Sequence, residues 1–271
     1  MADKVIPFFE IATNALPAVG IFLSGSGSNA ERILREWREQ GREAPYRVTV
    51  VVTDRPETSR ARELSDAYNL PLVEHDIRAF YREHGLDRMT IRTPEGQKVR
   101  EQWTDELRRK LASHELDFGI LAGFVPLTNI TGDFPCLNVH PGDLTYCKNK
   151  RRYLVGLHTI PVERAILEGL DWLRSSVIVA QPYTRDGGDM DSGPILGISE
   201  RVQVDLQGTR VETLRQCREK RPEKRPRGGY DDVLERIAKH NQQRLKENGD
   251  WLVLPATVSD FAQGRFAKDP E

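Results

Sequence analysis

Through the first half of the chain, short apolar and often β-branched runs alternate with longer stretches in which apolar positions recur every three or four residues. "AVGIFLSG" predicts a strand and "NAERILREWREQ" the helix after it, while "YRVTVVVTD" predicts a second strand. "SRARELSDAYN" follows as a helix with Leu64 and Ala67 facing inward, and "LPLVEHD" as a third strand. The long stretch "TPEGQKVREQWTDELRRKLASHE" opens on Thr93-Pro94-Glu95, a combination that suits a helix N-terminus, and "DFGILAGF" closes the half as a fourth strand. Strands this apolar, in β-α-β-α-β-α-β order, predict an α/β protein: a Rossmann-like parallel sheet with helices on both faces and right-handed crossovers.

Beyond Phe124 the alternation loosens. "CLNVHPGDL" reads as a strand and loop, "TIPVERAILEGL" as a helix, and "SSVIVAQPY" and "PILGISERVQV" as two strands extending the sheet in mixed orientation. From Gly208 a Pro-interrupted basic segment, "GTRVETLRQCREKRPEKRPRGG", precedes the helix "YDDVLERIAKHNQQRLKENG" and a helical tail. The expected organisation is a catalytic domain over 1–207, with 208–271 as an extension packed on it. The basic segment is expected to be a solvated, mobile loop, as charge runs commonly are.

Composition narrows the function classes. Forty Lys and Arg against 41 Asp and Glu leave a net charge of -1, so no global field draws in nucleic acid or an anionic membrane. Three cysteines, Cys136, Cys147 and Cys217, lack the paired spacing of a zinc site and indicate no disulfide framework. The opening residues carry Asp3, Pro7 and Glu10 and do not read as a signal peptide. No apolar run approaches the roughly 20 residues a membrane-spanning helix needs, and a reducing cytoplasm is the expected compartment.

Two junctions carry candidate chemistry. The first strand ends in Gly25-Ser26-Gly27-Ser28-Asn29, where glycines let backbone approach a ligand and the next helix offers free N–H groups and a positive dipole end. The run is neither a dinucleotide fingerprint nor a Walker loop, because Ala30 holds the third glycine position and no Gly-Lys-Ser/Thr follows. It predicts either a seat for phosphate or a tight turn capped by Asn29. In "LNVHPGDL", Asn138 and His140 stand two apart, which on a strand puts both on one face. Some fifty residues later, "DGGDMDSGP" supplies Asp186, Asp189 and Asp191. An amide donor for an oxyanion, an imidazole and a carboxylate together suit acyl transfer. Singly, each also has an ordinary reading as a satisfied amide, a turn histidine, or aspartates that form turns or hold a cation.

Taken in order, these segments resemble the folate-dependent formyltransferases, and in particular the phosphoribosylglycinamide formyltransferase family. "SGSGSNAERIL" is similar to the family's phosphate loop, "DFGILAGFVPLT" to its folate-pocket segment and "LNVHPGDL" to its Asn-x-His-Pro. "GLHTIPVERAILEG" through "MDSGPIL" is similar to its Gly-x-His helix and Asp-x-Gly-Pro loop. The resemblance covers about Val19 to Val204. It implies that Gly27, Ser28 and Asn29 hold a substrate phosphate, that Asn138 polarises the formyl oxygen, that His140 manages the proton and that Asp191 orients the histidine or a water beside it. His158 falls at the family's helix-start histidine. The implied donor is 10-formyltetrahydrofolate, its pterin against Leu121, Phe124, Val125 and Leu127 and the loop carrying Asp186 and Asp189. No metal is implied, because a deprotonated amine held near the formyl carbon is already nucleophilic.

The departures lie on the acceptor side. The stretch "QPYTRDGGDM" is longer than the family's loop, Pro141-Gly142-Asp143-Leu144-Thr145 replaces Pro-Ser-Leu-Leu-Pro, and Val125-Pro126 stands where Met-Arg is common. Lys239-His240 only approximates the family's Glu-His pair. The resemblance thus implies a cytoplasmic, purine-type one-carbon enzyme moving a formyl group to a phosphorylated amine like glycinamide ribonucleotide. Hydrolysis of formyltetrahydrofolate is the nearest alternative, weakened by the short stretch before the first strand. Transfer to another amine, such as methionyl-tRNA or an amino sugar, comes next, and a folate- or phosphate-binding protein without turnover after that. The expected partners are the phosphorylated amine and the folate, with a homodimer as a candidate assembly and neither membrane nor nucleic acid.

Overall fold

The computed structural model describes residues 6–10, 15–157, 159–184, 190–226 and 228–268. Seven apolar runs form one sheet: β1 (Ala18–Leu23), β2 (Arg47–Thr53), β3 (Leu72–Glu74), β4 (Phe118–Leu121), β5 (Cys136–His140), β6 (Ser176–Val179) and β7 (Ile195–Ile198). Their spatial order is β7-β6-β5-β4-β1-β2-β3, and the sheet is mixed and mostly parallel, as expected. β1 runs parallel to both β2 and β4, β2 to β3, and β4 to β5. The chain therefore winds outward from β1 to β3 and then returns to the other side of β1 with β4. That reversal opens a crevice at the carboxyl ends of β1 and β4, where open α/β sheets take ligands.

The chain divides into two compact units. The first comprises Met1–Asn138, Ile178–Leu196 and Leu254–Glu271. Its core joins Phe22, Val50 and Val52 of the sheet to Trp103, Leu107 and Leu111 of helix α4 (Pro94–Leu111). The Thr93 hydroxyl caps α4 by accepting from the Gly96 N–H at 3.1 Å, with Pro94 at the first position. Helices α1 (Ser28–Gln40) and α2 (Ala61–Tyr68) follow the predicted pattern, α1 burying Ala30, Ile33 and Leu34. Helix α3 (Ile77–Glu83) is not among the elements predicted from the sequence, although it buries Ile77, Phe80 and Tyr81 at helical spacing. The Asp76 carboxylate caps it, accepting from the N–H groups of Arg78 and Ala79 at 2.7 and 3.0 Å.

The second unit comprises Val139–Val177 and Gly197–Val253. Its core packs Val162 and Ile166 of α5 (Ile160–Glu168) with Leu214 of α6 (Val211–Glu219) and Leu234 and Ile237 of α7 (Val233–Leu245). Two expectations are corrected here. "PILGISERVQV" is not one strand: after β7 it breaks, and Val202–Gln203 pairs antiparallel with Trp172–Leu173. Nor is the basic segment a solvated loop throughout: residues 222–226 are irregular and mostly exposed, but the stretch before them is ordered. It folds as α6 with Leu214 fully buried, and continues to Arg221, whose side chain is 3% exposed.

Arg221 explains the difference. Its guanidinium donates to Glu163 Oε2 at 2.5 Å and to both oxygens of Asp232, at 2.6 and 2.8 Å, and stacks 4.0 Å over the Tyr230 ring. Asp232 in turn caps α7, accepting from the Glu235 N–H at 2.8 Å. The segment that looked like a charge run is held by a buried ion network, which hydrophobic periodicity does not register. At the far end of the chain, α8 (Trp251–Ala262) follows one π-helical turn, and its Phe261 ring lies 5.2 Å from that of Phe118. Among the described residues no helix is long and apolar enough to cross a membrane.

Candidate active site

The Gly-rich junction sits at the carboxyl end of β1, as its sequence predicted. The cap of α1 is Gly27 rather than Asn29: Gly27 is left-handed, with φ 65°, and its carbonyl accepts the first helical bond from the Glu31 N–H at 2.7 Å. A Cβ at Gly27 would lie 2.9 Å from Leu23 Cδ1 and 3.0 Å from Leu64 Cδ1, so conformation and space both call for glycine. No side chain of the cap closes the helix end. Ser28 and Asn29 thus form the first turn of a 13-residue helix whose leading N–H groups lack intrahelical partners, the usual geometry of a phosphate seat.

Neighbouring elements brace this loop. The Arg60 guanidinium donates to the Ser26 carbonyl at 3.3 Å and to Glu31 at 2.9 Å, and its backbone N–H donates to the Gly25 carbonyl at 3.1 Å. Ser24, buried at the end of β1, accepts from the Val125 N–H on its hydroxyl at 2.8 Å and donates its own N–H to the Gly123 carbonyl at 3.2 Å. The phosphate-loop candidate and the segment after β4 are therefore joined at the crevice.

Along that second segment the four predicted pterin contacts differ in character. Leu121 and Phe124 belong to the core, with Phe124 edge-on to Phe22 at 5.5 Å. Val125 is 39% exposed and offers an apolar surface. Leu127 is half-buried, its carbonyl accepting from Arg100 at 2.7 Å. Asp186, Asp189 and His158 lie outside the described residues.

β5 carries the proposed chemistry. Pro135 and Pro141 bracket it, each lacking the N–H that a longer central strand would need. Asn138 and His140 leave it on the same face, two residues apart. The Asn138 amide points its Nδ2 at Asp191 Oδ1, 3.5 Å away, with Asp191 on the short 3₁₀ turn Met190–Ser192. The structure thus brings Asp191 to the amide of the predicted trio. His140 is 3% exposed, and its Nε2 donates to the Leu154 carbonyl at 2.7 Å.

Several groups escaped the sequence reading. Asp54, which ends the apolar run "VVTD" at the carboxyl end of β2, is 1% exposed. Burial raises its carboxyl above the usual range, opposed by the Ser24 hydroxyl and by Arg55, 3.6 Å away. Tyr183 donates its hydroxyl to Glu101, and burial with that carboxylate beside it raises the phenol. Lys239 and His240 are held by carboxylates of the second unit, Glu235 at 3.7 Å and Asp205 at 2.9 Å. Asp250, also buried, accepts from the Ser175 hydroxyl at 2.5 Å. A cavity of about 540 Å³ in the first unit, between Thr131–Pro135 and Val179–Gln181, is lined by none of the predicted site residues. Among the described residues no cluster of three or more His, Cys, Asp or Glu is placed to hold a metal ion.

No protein-family model and no curated protein sequence matches the chain. Solved structures do. Glycinamide ribonucleotide transformylase 1 from Symbiobacterium toebii superposes with a TM-score of 0.59 at 23% identity, covering 94% of this chain and 91% of that one. Phosphoribosylglycinamide formyltransferase from Coxiella burnetii gives 0.58 at 18% identity over 94% and 92% of the two chains. The enzyme of that name from Brucella melitensis gives 0.55 at 21% over 92% and 97%. The chain has the fold of the phosphoribosylglycinamide formyltransferases.

Proposed function

We propose that the protein transfers a formyl group from 10-formyltetrahydrofolate to the amine of a phosphorylated acceptor resembling glycinamide ribonucleotide. The observation that carries this reading is the face of β5: an amide donor beside a carboxylate at 3.5 Å, and an imidazole two residues on, in a formyltransferase fold. Fit to the donor rests on Val125 and Leu127, which leave apolar surface at the carboxyl edge of β4 for a flat ring. The folate supplies an activated formyl group carried on nitrogen.

Within that reading, the first turn of α1 with Gly27, Ser28 and Asn29 takes the acceptor's phosphate and fixes where its amine lies. The Asn138 Nδ2–H donates to the formyl oxygen as negative charge develops there, an interaction stronger in the transition state than in the ground state. His140 accepts the proton the amine loses and returns one to the departing nitrogen, so one C–N bond forms, one breaks and the proton count balances. Asp191 holds the Asn138 amide with its N–H directed at the reacting oxygen.

The test mixes the protein with 10-formyltetrahydrofolate, with and without glycinamide ribonucleotide, and follows deformylated folate. Turnover that requires the amine is the expected result. Turnover without it identifies a hydrolase, and binding with no turnover overturns the enzymatic reading. His140→Ala is expected to abolish activity with the fold retained, and Asn138→Ala to lower kcat by about 10²–10³. Near-native activity in His140→Ala would rule this mechanism out.

A further inference from the structure

His140 meets a backbone carbonyl, and the surroundings of that carbonyl are unusually constrained. A carbonyl can only accept, so the 2.7 Å contact between His140 Nε2 and Leu154 O requires the hydrogen on Nε2. Leu154 itself is buried, 2% exposed. Its two neighbours in sequence are clamped by a single nitrogen: Arg164 Nη1, from α5, donates to the Tyr153 carbonyl at 2.8 Å and to the Val155 carbonyl at 2.8 Å. With the carbonyls on either side drawn to the guanidinium, the intervening one is turned the other way, toward the imidazole.

Space for this arrangement comes from Gly142. A Cβ there would stand 2.5 Å from Leu154 O and 3.1 Å from His140 Nε2, inside the hydrogen bond itself. The turn that carries Gly142 cannot easily yield, because its carbonyl accepts from the Ser176 hydroxyl at 2.9 Å while that hydroxyl accepts from the Leu144 N–H at 3.0 Å. The Gly142 N–H also donates to the His140 carbonyl at 2.9 Å. Position 142 is one of the departures from the usual Pro-Ser-Leu-Leu-Pro, and a serine there would meet the same obstruction.

We infer that Arg164 and Gly142 are positioning residues which, through the Leu154 carbonyl, fix His140 as its Nε2–H tautomer and make Nδ1 the nitrogen that takes the acceptor amine's proton. When Nδ1 gains that proton, the imidazolium keeps donating from Nε2 into Leu154 O, so the charge is stabilised without ring rotation. The proton then passes from Nδ1 to the departing folate nitrogen, leaving the starting tautomer. The catalytic meaning rests on the formyl-transfer reading; the tautomer does not.

The test records long-range proton–nitrogen spectra of imidazole-labelled protein in mildly alkaline buffer, with His140→Gln assigning the signals. The wild type is expected to show a protonated Nε2 with a slowly exchanging hydrogen and an unprotonated Nδ1. Arg164→Met and, separately, Gly142→Ala are expected to mix the tautomers or speed that exchange at least about tenfold. Arg164→Lys, which keeps a nitrogen able to donate twice, is expected to recover part of the pattern. In formyl transfer, Arg164→Met should lower kcat by about 10- to 100-fold, as loss of orienting partners commonly does, with the KM for the folate nearly unchanged. A protonated Nδ1 in the wild type overturns the inference, as do wild-type signals in both variants. Should a variant fail to fold, the wild-type spectrum decides. Absence of formyl transfer by the wild type overturns the proposed function and leaves the tautomer result standing on its own.

Discussion

The two units bury charge very differently. Among the described residues of the first, Asp54 is the only buried carboxylate, joined by Arg100, His75 and Asn29 as buried nitrogen-bearing polar side chains around a core built on Phe22, Trp103 and Phe118. The second, though smaller, buries Asp143, Glu163, Glu235 and Asp250. Two of these acids find partners in distant stretches, Arg221 reaching Glu163 across 58 residues and Ser175 reaching Asp250 across 75, while Asp143 and Glu235 are held by neighbours within ten residues. A unit held by apolar burial tolerates gradual repacking, whereas one organised by buried ions is sensitive to the loss of any single partner.

The largest expected effect therefore falls on Arg221. Arg221→Met strands Glu163 and Asp232 and should cost about 3–5 kcal/mol, read from urea unfolding, with hydrogen exchange rising in the second unit before the first. A loss of less than about 1 kcal/mol, typical of surface pairs, would erase the contrast.

An intermediate effect lies in the acid range. Hydrogen bonds from Arg221 hold the Asp232 carboxyl down to about 2, from an ordinary 3.8. A depressed carboxyl contributes stability that is present above its unfolded value and fades as the pH falls through the folded one, so this share, on the order of 2 kcal/mol, should disappear between about pH 4 and pH 2. Unfolding free energies measured across that window should lose this slope in Arg221→Met. An unchanged slope would assign acid sensitivity to other groups.

The smallest effect has the opposite sign. Asp54 is raised by burial, so the unfolded chain releases its proton first and the ionised group detracts from stability at neutral pH. Asp54→Asn should therefore raise the midpoint of thermal unfolding at pH 7 by a few degrees at most, with the gain shrinking toward pH 4. A lower midpoint at pH 7 would mean that the carboxylate is held by partners rather than penalised by burial.

Legibility followed the range of the interactions. The strands, the long helices and the Gly27 junction were readable because each is set by periodicity or by conformational demand within a few residues. The shared face of Asn138 and His140 followed from the strand period alone. α3 carries both an Asp76 cap and the apolar stripe Ile77, Phe80 and Tyr81, but at seven residues it spans only about two turns, too short for the period to stand out from a connection. The basic segment was misread because Arg221 looks like any surface arginine until Glu163 and Asp232 converge on it. Leu121 and Phe124, read as pterin contacts, turn mainly into the core, while Val125 keeps its surface.

By itself the sequence determined the alternation of strands and helices, the position of the Gly-rich junction before α1, and the amide and imidazole on one strand face. All of these are consequences of local geometry. The tertiary structure alone decided which carbonyl receives the His140 hydrogen, which arginine nitrogen clamps the carbonyls beside it, and why residue 142 has no side chain. Those choices depend on segments meeting in space, and a hydrogen bond between residues 14 positions apart leaves no periodic trace in the chain that makes it.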